Sequence, residues 1–169
     1  APVQLDQKLT SVKRYVFVGF LTLFLLIGGL GGWAATTNLA GAVLAPGVVV
    51  VDTQHHFLYL TIENQTAIRY GVGVGREGFK WYGRSNIDRK ALWPKWTPPP
   101  ERIERHPELP AFIDGGSPKN PLGPRAMYLH GDGGDTGYRL HGTLEPWSIG
   151  TDASSGCIRM FPESVIDLY

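Results

Sequence analysis

The longest apolar stretch of the chain is an uncharged run of 20 residues, VFVGFLTLFLLIGGLGGWAA, at positions 16–35. A helix of that length rises roughly 30 Å, which matches the hydrocarbon thickness of a bilayer. The pattern therefore predicts a membrane-spanning helix over 16–35. A cleaved signal peptide is the alternative, because Ala34 and Ala35 place small residues at its end. Its apolar region usually spans only about 7–15 residues, so we favour an uncleaved anchor.

Basic residues flank this apolar run on one side only. Three of them lie within the first 14 positions, and no other precedes Arg69. Basic residues concentrate on the cytoplasmic side of membrane-spanning helices. We therefore expect residues 1–15 to form a cytoplasmic tail, 36–47 a linker, and 48–169 a domain in the periplasm, outside the cytoplasmic membrane.

Alternating apolar positions predict a β-hairpin near the start of this domain. Apolar residues recur at every second position in 57–62 and again in 67–74, and the segment 63–66 between them is polar. Period-two alternation on both sides of a polar turn is the hairpin pattern. Three glycines at alternate positions of the second strand indicate close approach of another backbone segment or a β-bulge.

The rest of the domain is predicted to be mainly β with short helices. Further strands are expected at 126–130 and 137–141. Pro162 opens a short helix that runs to Leu168, since proline is favoured at the first helical position. Residues 92–110 hold six prolines and two tryptophans. That proline density predicts an ordered loop with no regular helix or strand.

Charge and cysteine content narrow the candidate functions. The net charge of +1 gives no basis for nucleic-acid binding. The single cysteine cannot form an internal disulfide, and a lone thiol in an oxidising compartment is a liability unless the protein uses it. No paired metal-ligand spacing occurs among the five histidines and this cysteine, so no metal or cofactor is expected.

Three other features have ordinary structural interpretations. The GxGxxG pattern at 73–78 is not followed by a helical period, so it is a sheet glycine pattern rather than a dinucleotide site. Asp132 and Asp135 are assigned to a solvated Gly-Asp-rich turn. His130 is given a structural role, with a position in a cleft as the alternative.

The chemistry-bearing residues are concentrated in the last third of the chain. His141-Gly142-Thr143 precedes the segment SSGCIRM at 154–160, which contains Cys157. A thiol is a strong nucleophile as its thiolate, and a nearby imidazole accepts its proton. A glycine directly before the cysteine predicts a turn whose backbone N–H groups converge as oxyanion donors. An inert buried cysteine beside a structural histidine is the alternative.

Arg159 follows the cysteine by two residues. On an extended segment it shares a face with Cys157, where its charge lowers the thiol pKa or binds a substrate carboxylate.

The combination HGT…SSGCIRM resembles the signature of the L,D-transpeptidase catalytic domain, often called the YkuD domain. The resemblance extends upstream through NPLGPRAMYL at 120–129 to about Val50. It implies a β-sandwich or barrel in which Cys157 is the nucleophile and His141 its base, oriented by a backbone carbonyl. The residues implied in substrate or oxyanion binding are Gly142, Ser155, Gly156 and Arg159. Family members often carry histidine at the position of Ser155 and continue past the final helix into a last strand, which this chain is expected to lack.

The same resemblance implies the reaction. Cys157 attacks the diaminopimelate carbonyl of a peptidoglycan stem tetrapeptide, D-alanine leaves, and an amine takes the acyl group. The acceptor stays open between a second stem peptide, an outer-membrane protein and water.

Residues 1–50 have a second resemblance, to the N-terminal anchor of type I secretion membrane-fusion (adaptor) proteins. The basic-flanked apolar run followed by GAVLAPGVVVVD at 41–52 carries it. The alternative function is therefore a non-catalytic, membrane-tethered protein that binds peptidoglycan or serves as an envelope adaptor.

Overall fold

The fold is a curled, mainly β domain. The computed structural model describes residues 15–19 and 44–169. Its strands are β1 (Tyr15–Gly19), β2 (Val49–Asp52), β3 (Phe57–Thr61), β4 (Ala67–Gly75), β5 (Gly83–Leu92), β6 (Arg125–Gly131), β7 (Gly134–His141), β8 (Asp152–Ser154) and β9 (Ile158–Met160). Its two α-helices are α1 (Pro100–Arg105) and α2 (Pro162–Leu168).

The described strands form one sheet in the order β3-β2-β1-β5-β6-β7-β9-β4-β8. Strand β3 also pairs with β4, so the sheet curls back on itself. Most neighbouring strands of the described sheet are antiparallel, and three pairs run parallel: β1 with β2, β4 with β8, and β7 with β9. In that last pair, the final residues of β7 lie beside the first residues of β9.

The inner face of the sheet packs around one apolar core. Its most deeply buried members come from six strands and include Val51, Leu58, Val72, Val74, Met127, Leu129, Leu140, Ile158 and Met160. Burying a side chain of this size contributes about 1.5–3 kcal/mol. Helix α2 begins at Pro162 and turns Val165 and Leu168 into this core, because positions three apart share a helix face.

Most of the predicted elements are confirmed. The hairpin is β3 and β4, the two later strands are β6 and β7, and the final helix is α2. The close approach predicted from the glycines is also found, since a Cβ on Gly73 would lie 2.4 Å from the carbonyl oxygen of Ser148.

A helix lies where none was predicted, and several strands, β5 among them, were not predicted from the sequence. Helix α1 lies within the proline-rich segment, where Pro100 occupies a position at the helix start that tolerates its missing N–H. Strand β5 carries no apolar alternation, and Ser85 is its only buried residue. It is a strand because it pairs with β6 and β1.

The predicted membrane anchor lies outside the described residues except at its start. Residues 16–19 are part of strand β1 and not of a helix. Among the helices within 15–19 and 44–169, none has the length and apolar character to cross a bilayer. The anchor over 16–35 therefore stays a prediction.

Candidate active site

Strands β7 and β9 bring the two predicted catalytic residues to one face of the sheet. Leu140 lies opposite Ile158, and His141 lies opposite Arg159. Leu140 and Ile158 both point into the core. Side chains alternate between the faces of a strand, so His141 and Arg159 point the other way. Cys157 directly precedes β9, and continuing the alternation by one residue assigns it to the same face.

His141 is held in one tautomer at the end of β7. The side chain is 6% exposed, and its Nδ1–H donates to the carbonyl oxygen of Gly142 at 2.5 Å. A donor at Nδ1 leaves Nε2 without a proton, able to accept one. The orientation by a backbone carbonyl agrees with the expectation from the family resemblance.

The environment of His141 strongly favours its neutral form. Burial lowers the pKa of the imidazole to about 4, and the charges of Arg159 and Arg139 add to that effect. The bond to Gly142 opposes it without restoring the ordinary value. At neutral pH the imidazole is therefore an unprotonated base.

Gly142 has a packing role at this point. A Cβ at this residue would lie 2.9 Å from Pro124 Cδ and 3.2 Å from the carbonyl oxygen of Leu122. Any larger residue would push away the loop at 120–124, which packs against Gly142. The structure thus gives Gly142 a steric function, and its predicted part in substrate or oxyanion binding stays a prediction.

The loop over Gly142 is anchored by a residue to which sequence reasoning gave no role. Asn120 is 1% exposed, and its Nδ2 donates to the carbonyl oxygens of Pro94 at 2.8 Å and Asp114 at 3.1 Å. Its Oδ1 accepts from the Leu122 N–H at 2.9 Å. One side chain therefore ties the proline-rich segment to the loop that packs against Gly142, next to His141.

The cysteine lies at the end of a tight turn, as its preceding glycine predicts. Ser154 Oγ donates to the carbonyl oxygen of Cys157 at 2.6 Å and accepts from the Gly156 N–H at 3.1 Å. Gly156 has a φ of +109°, a conformation that only glycine adopts without strain. The turn fixes the backbone on both sides of the thiol.

An aromatic pair supports this turn from a distant part of the chain. Trp81 and Tyr138 stack with ring centroids 4.8 Å apart and planes 2° from parallel. Trp81 Nε1 donates to the Gly156 carbonyl oxygen at 2.8 Å, and the Tyr138 ring fills the space that a Cβ at Gly156 would need. Neither residue was identified from sequence, because their only link to Cys157 is through the fold.

The thiol of Cys157 is protonated at rest. It is half-buried, and burial raises its pKa above the ordinary value. The backbone N–H of Arg139 and the charges of Arg139 and Arg159 partly offset that effect. The resting pair is therefore a neutral thiol and a neutral imidazole rather than an ion pair.

Two arginines at the edges of the site already have partners. Arg159 donates to a carboxylate oxygen of Glu145 at 2.5 Å, and Glu145 is half exposed on the loop that follows His141. Arg76 donates to Ser155 Oγ at 2.9 Å. Arg159 thus lies opposite His141, with a carboxylate bound to it.

Asp132 and Asp135 were both assigned to a solvated turn. Asp132 lies in the exposed turn between β6 and β7, whereas Asp135 is exposed but belongs to the strand that follows. It lies in β7, and its two carboxylate oxygens accept from Arg139 at 2.7 and 2.9 Å. Residues four apart on a regular strand are about 13 Å apart, so this pair depends on the irregular register between β6 and β7. The hydrogen bond from the Gly137 N–H is the largest contribution that lowers the pKa of Asp135. The hydrogen bonds and the charge of Arg139 lower it further.

No metal-ion site is apparent in the part of the chain that the structure describes. Within it, no three His, Cys, Asp or Glu side chains are grouped so as to hold an ion.

The chain is therefore a curled, mainly β domain with His141 at the end of β7 and Cys157 directly before β9. A family model for the L,D-transpeptidase catalytic domain, YkuD, matches residues 46–169. The chain belongs to this family.

Individual relatives agree with this assignment. The probable L,D-transpeptidase ErfK/SrfK of Escherichia coli is 31% identical over 131 residues, which are 73% of this chain and 40% of that protein. This chain therefore spans less than half the length of that relative.

Two solved structures are similar to this one. A structure from Brucella melitensis, described as a probable carnitine operon oxidoreductase CaiA, is 47% identical with a TM-score of 0.55, covering 75% of this chain and 81% of that one. An L,D-transpeptidase from Mycobacterium smegmatis has a TM-score of 0.51 at 17% identity, covering 70% of this chain and 50% of that one, and supports the fold alone.

The resemblance of residues 1–50 to secretion adaptors has limited support. The type I secretion system membrane fusion protein PrsE of Rhizobium meliloti is 45% identical over 42 residues. These are 25% of this chain and 10% of that protein.

Proposed function

We propose that the chain is a peptidoglycan L,D-transpeptidase that forms a thioester at Cys157. The substrate is a stem tetrapeptide, attacked at the carbonyl on the L-centre of diaminopimelate. The observation that carries this proposal is the fixed, neutral His141, whose Nδ1–H is bound to the Gly142 carbonyl on the face that holds the thiol.

Acylation begins with proton transfer from the thiol of Cys157 to Nε2 of His141. Because thiol and imidazole are both neutral at rest, the transfer accompanies attack instead of preceding it. The sulfur–carbon bond forms, the amide C–N bond breaks, and His141 gives its proton to the departing amine of D-alanine. In the second half an amine attacks the thioester, and His141 takes its proton and passes it to the departing sulfur, which leaves as the thiol.

The oxyanion of each tetrahedral intermediate needs backbone donors. The Gly156 N–H already donates to Ser154 Oγ, so we assign the Cys157 N–H as the principal donor. Gly156 acts by allowing the turn that directs this N–H toward the carbonyl. One such donor is typically worth about 10²–10³ in kcat.

Arg159 is assigned to a carboxylate of the donor peptide. Its partner Glu145 is half exposed, so a substrate carboxylate displaces the Glu145 carboxylate. The Arg159 guanidinium is then paired before and after binding, and substrate binding does not have to desolvate a free guanidinium. The Ser155 hydroxyl, bound by Arg76, lies at the edge of the same site.

Muropeptide analysis tests this function. Sacculi rich in tetrapeptides are incubated with the full chain and with Cys157→Ala, then digested and separated. We expect the wild-type chain to release D-alanine and to produce new crosslinked or tripeptide products, and the variant to produce neither. An unchanged muropeptide profile, with the protein bound to the sacculi, would contradict catalysis and favour a binding protein.

A further inference from the structure

We propose that Arg89, Tyr128 and Arg139 form a subsite that binds a carboxylate of the acceptor peptide, an inference that rests on the proposed function. The expected ligand is an acceptor peptide that carries a nucleophilic amine and, several bonds away from that nitrogen, a carboxylate.

The strand register aligns these three residues with the nucleophile. Arg89 lies opposite Tyr128 across β5 and β6, and Tyr128 lies opposite Arg139 across β6 and β7. Because Leu140 lies opposite Ile158, Arg139 is level with Cys157. Cross-strand partners share a face, so the three side chains form a row that ends at the thiol.

The dimensions of the row suit a short peptide. Neighbouring strands are about 4.8 Å apart, which places Tyr128 roughly 10 Å and Arg89 roughly 14 Å from Cys157, measured between strands. An extended peptide advances about 3.3–3.6 Å per residue. An amine at the thioester and a carboxylate two or three residues away therefore span the row, with the Arg89 side chain covering the remaining distance.

Tyr128 holds the two guanidinium groups in place. Its side chain is 8% exposed, and the Cζ atoms of Arg89 and Arg139 lie 3.3 and 4.4 Å from its ring centroid. Cation–π contacts fix each guanidinium plane against the ring. A guanidinium stacked in this way keeps edge N–H donors for a carboxylate, in the planar geometry that favours paired hydrogen bonds.

The charges along the row are not balanced. Asp135 pairs with Arg139 through two hydrogen bonds. Among residues 44–169, no carboxylate forms an ion pair with Arg89, which is exposed on β5. Two cations facing one ring thus share a single carboxylate, and a second anion at Arg89 would relieve their repulsion.

The row of Arg89, Tyr128 and Arg139 extends from Cys157 in a different direction from Arg159, the proposed contact of the donor peptide. Arg159 lies farther along β9 from Cys157, whereas the row crosses β7, β6 and β5 at right angles to it. During transfer two peptides must reach one carbonyl carbon. Because separate cations lie along the two directions, the donor and the acceptor peptide can each bind through a carboxylate without competing for the same arginine.

The consequence is a preference among acceptors. The amine nitrogen forms its bond to the thioester carbon, its proton passes to His141, and the thiol leaves, whichever amine is used. A remote carboxylate does not take part in these steps. It lowers the KM for the acceptor and so raises transfer relative to hydrolysis.

Triglycine and triglycinamide test the subsite, because they differ only in the remote carboxylate. The full chain is supplied with a stem tetrapeptide, and kcat/KM is measured for transfer to each acceptor. We expect the wild-type chain to favour triglycine about three- to tenfold, as for a partly exposed charge-assisted contact. Arg89→Ala should abolish this preference, and Arg89→Lys, which keeps the charge, should retain part of it.

Arg69→Ala is the matched control, since Arg69 also stacks on an aromatic ring, that of Phe57 at 4.5 Å, but lies on the hairpin. It should keep the wild-type preference. Equal use of both acceptors by the wild-type chain, no transfer to either, or an undiminished preference in Arg89→Ala would overturn the subsite. D-Alanine release is followed in the same reactions, so a failure of acylation is distinguished from a failure of the subsite alone.

Discussion

His141 is kept neutral by its surroundings, and the proposed activation of the thiol starts from that neutral imidazole. Burial removes water from the imidazole, and the charges of Arg159 and Arg139 oppose protonation further. The same burial raises the pKa of the Cys157 thiol. Sequence reasoning anticipated a base and a nucleophile here, but an ion pair at rest does not follow from this environment. A concerted transfer fits the two neutral groups better.

The low pKa of His141 predicts the acid side of the pH profile. A protonated imidazole cannot accept the thiol proton, so kcat/KM for acylation falls as pH drops through the pKa. With a pKa of about 4, the rate should stay level from pH 8 to about pH 5 and halve near pH 4. The measurement is D-alanine release from a tetrapeptide across pH, with thermal unfolding at each pH as the control for folding. A half-maximal rate near the ordinary histidine value of about 6.5 would contradict the buried neutral base.

At the scale of elements, the turn before Cys157 depends on the segment between β4 and β5. The stacked pair of Trp81 and Tyr138 packs against Gly156, and the indole N–H holds its carbonyl. This support fixes the direction of the Cys157 N–H, which the proposed oxyanion site requires.

Replacing Trp81 by phenylalanine separates the hydrogen bond from the stacking. Trp81→Phe keeps an aromatic ring but removes the donor to Gly156, so we expect a loss of about 1 kcal/mol in the free energy of unfolding. We also expect kcat for acylation to fall several-fold with little change in KM. Chemical denaturation and steady-state kinetics measure the two effects. Trp93→Phe, at an exposed tryptophan, is the control. Equal effects of the two variants would contradict a positioning role for Trp81.

Elements with a clear pattern were predictable, and elements formed by their neighbours were not. The hairpin, β6, β7 and α2 carry their own alternation or proline signal. Strand β5 is largely polar and is fixed by pairing on both sides. Helix α1 begins where proline is tolerated, which a count of prolines across the segment does not reveal.

At the scale of the whole molecule, His141 and Cys157 could be singled out from the sequence as the candidate pair, while the contacts around them could not. His141 and Cys157 belong to local motifs that resemble those of a known family. Asn120 and Trp81 act through contacts with distant segments, which composition and spacing do not encode. Asp135 was misassigned for the same reason, since its pairing with Arg139 depends on a strand irregularity.

Strand β1 and the predicted anchor make competing demands on residues 16–19. In the sheet, these residues are extended and lie between β2 and β5. In a membrane helix their backbone groups would bond within the helix itself. The same four residues cannot satisfy both arrangements at once.

Intact-protein mass spectrometry with an isolated stem tetrapeptide tests the central claim most directly. The full chain and Cys157→Ala are incubated with the peptide in the absence of an added acceptor amine and quenched in acid. We expect the wild-type chain to gain the mass of the tetrapeptide minus that of D-alanine, on the fragment that contains Cys157, and the variant to gain nothing. The same mass increase in Cys157→Ala, or D-alanine release by that variant at the wild-type rate, would contradict Cys157 as the nucleophile.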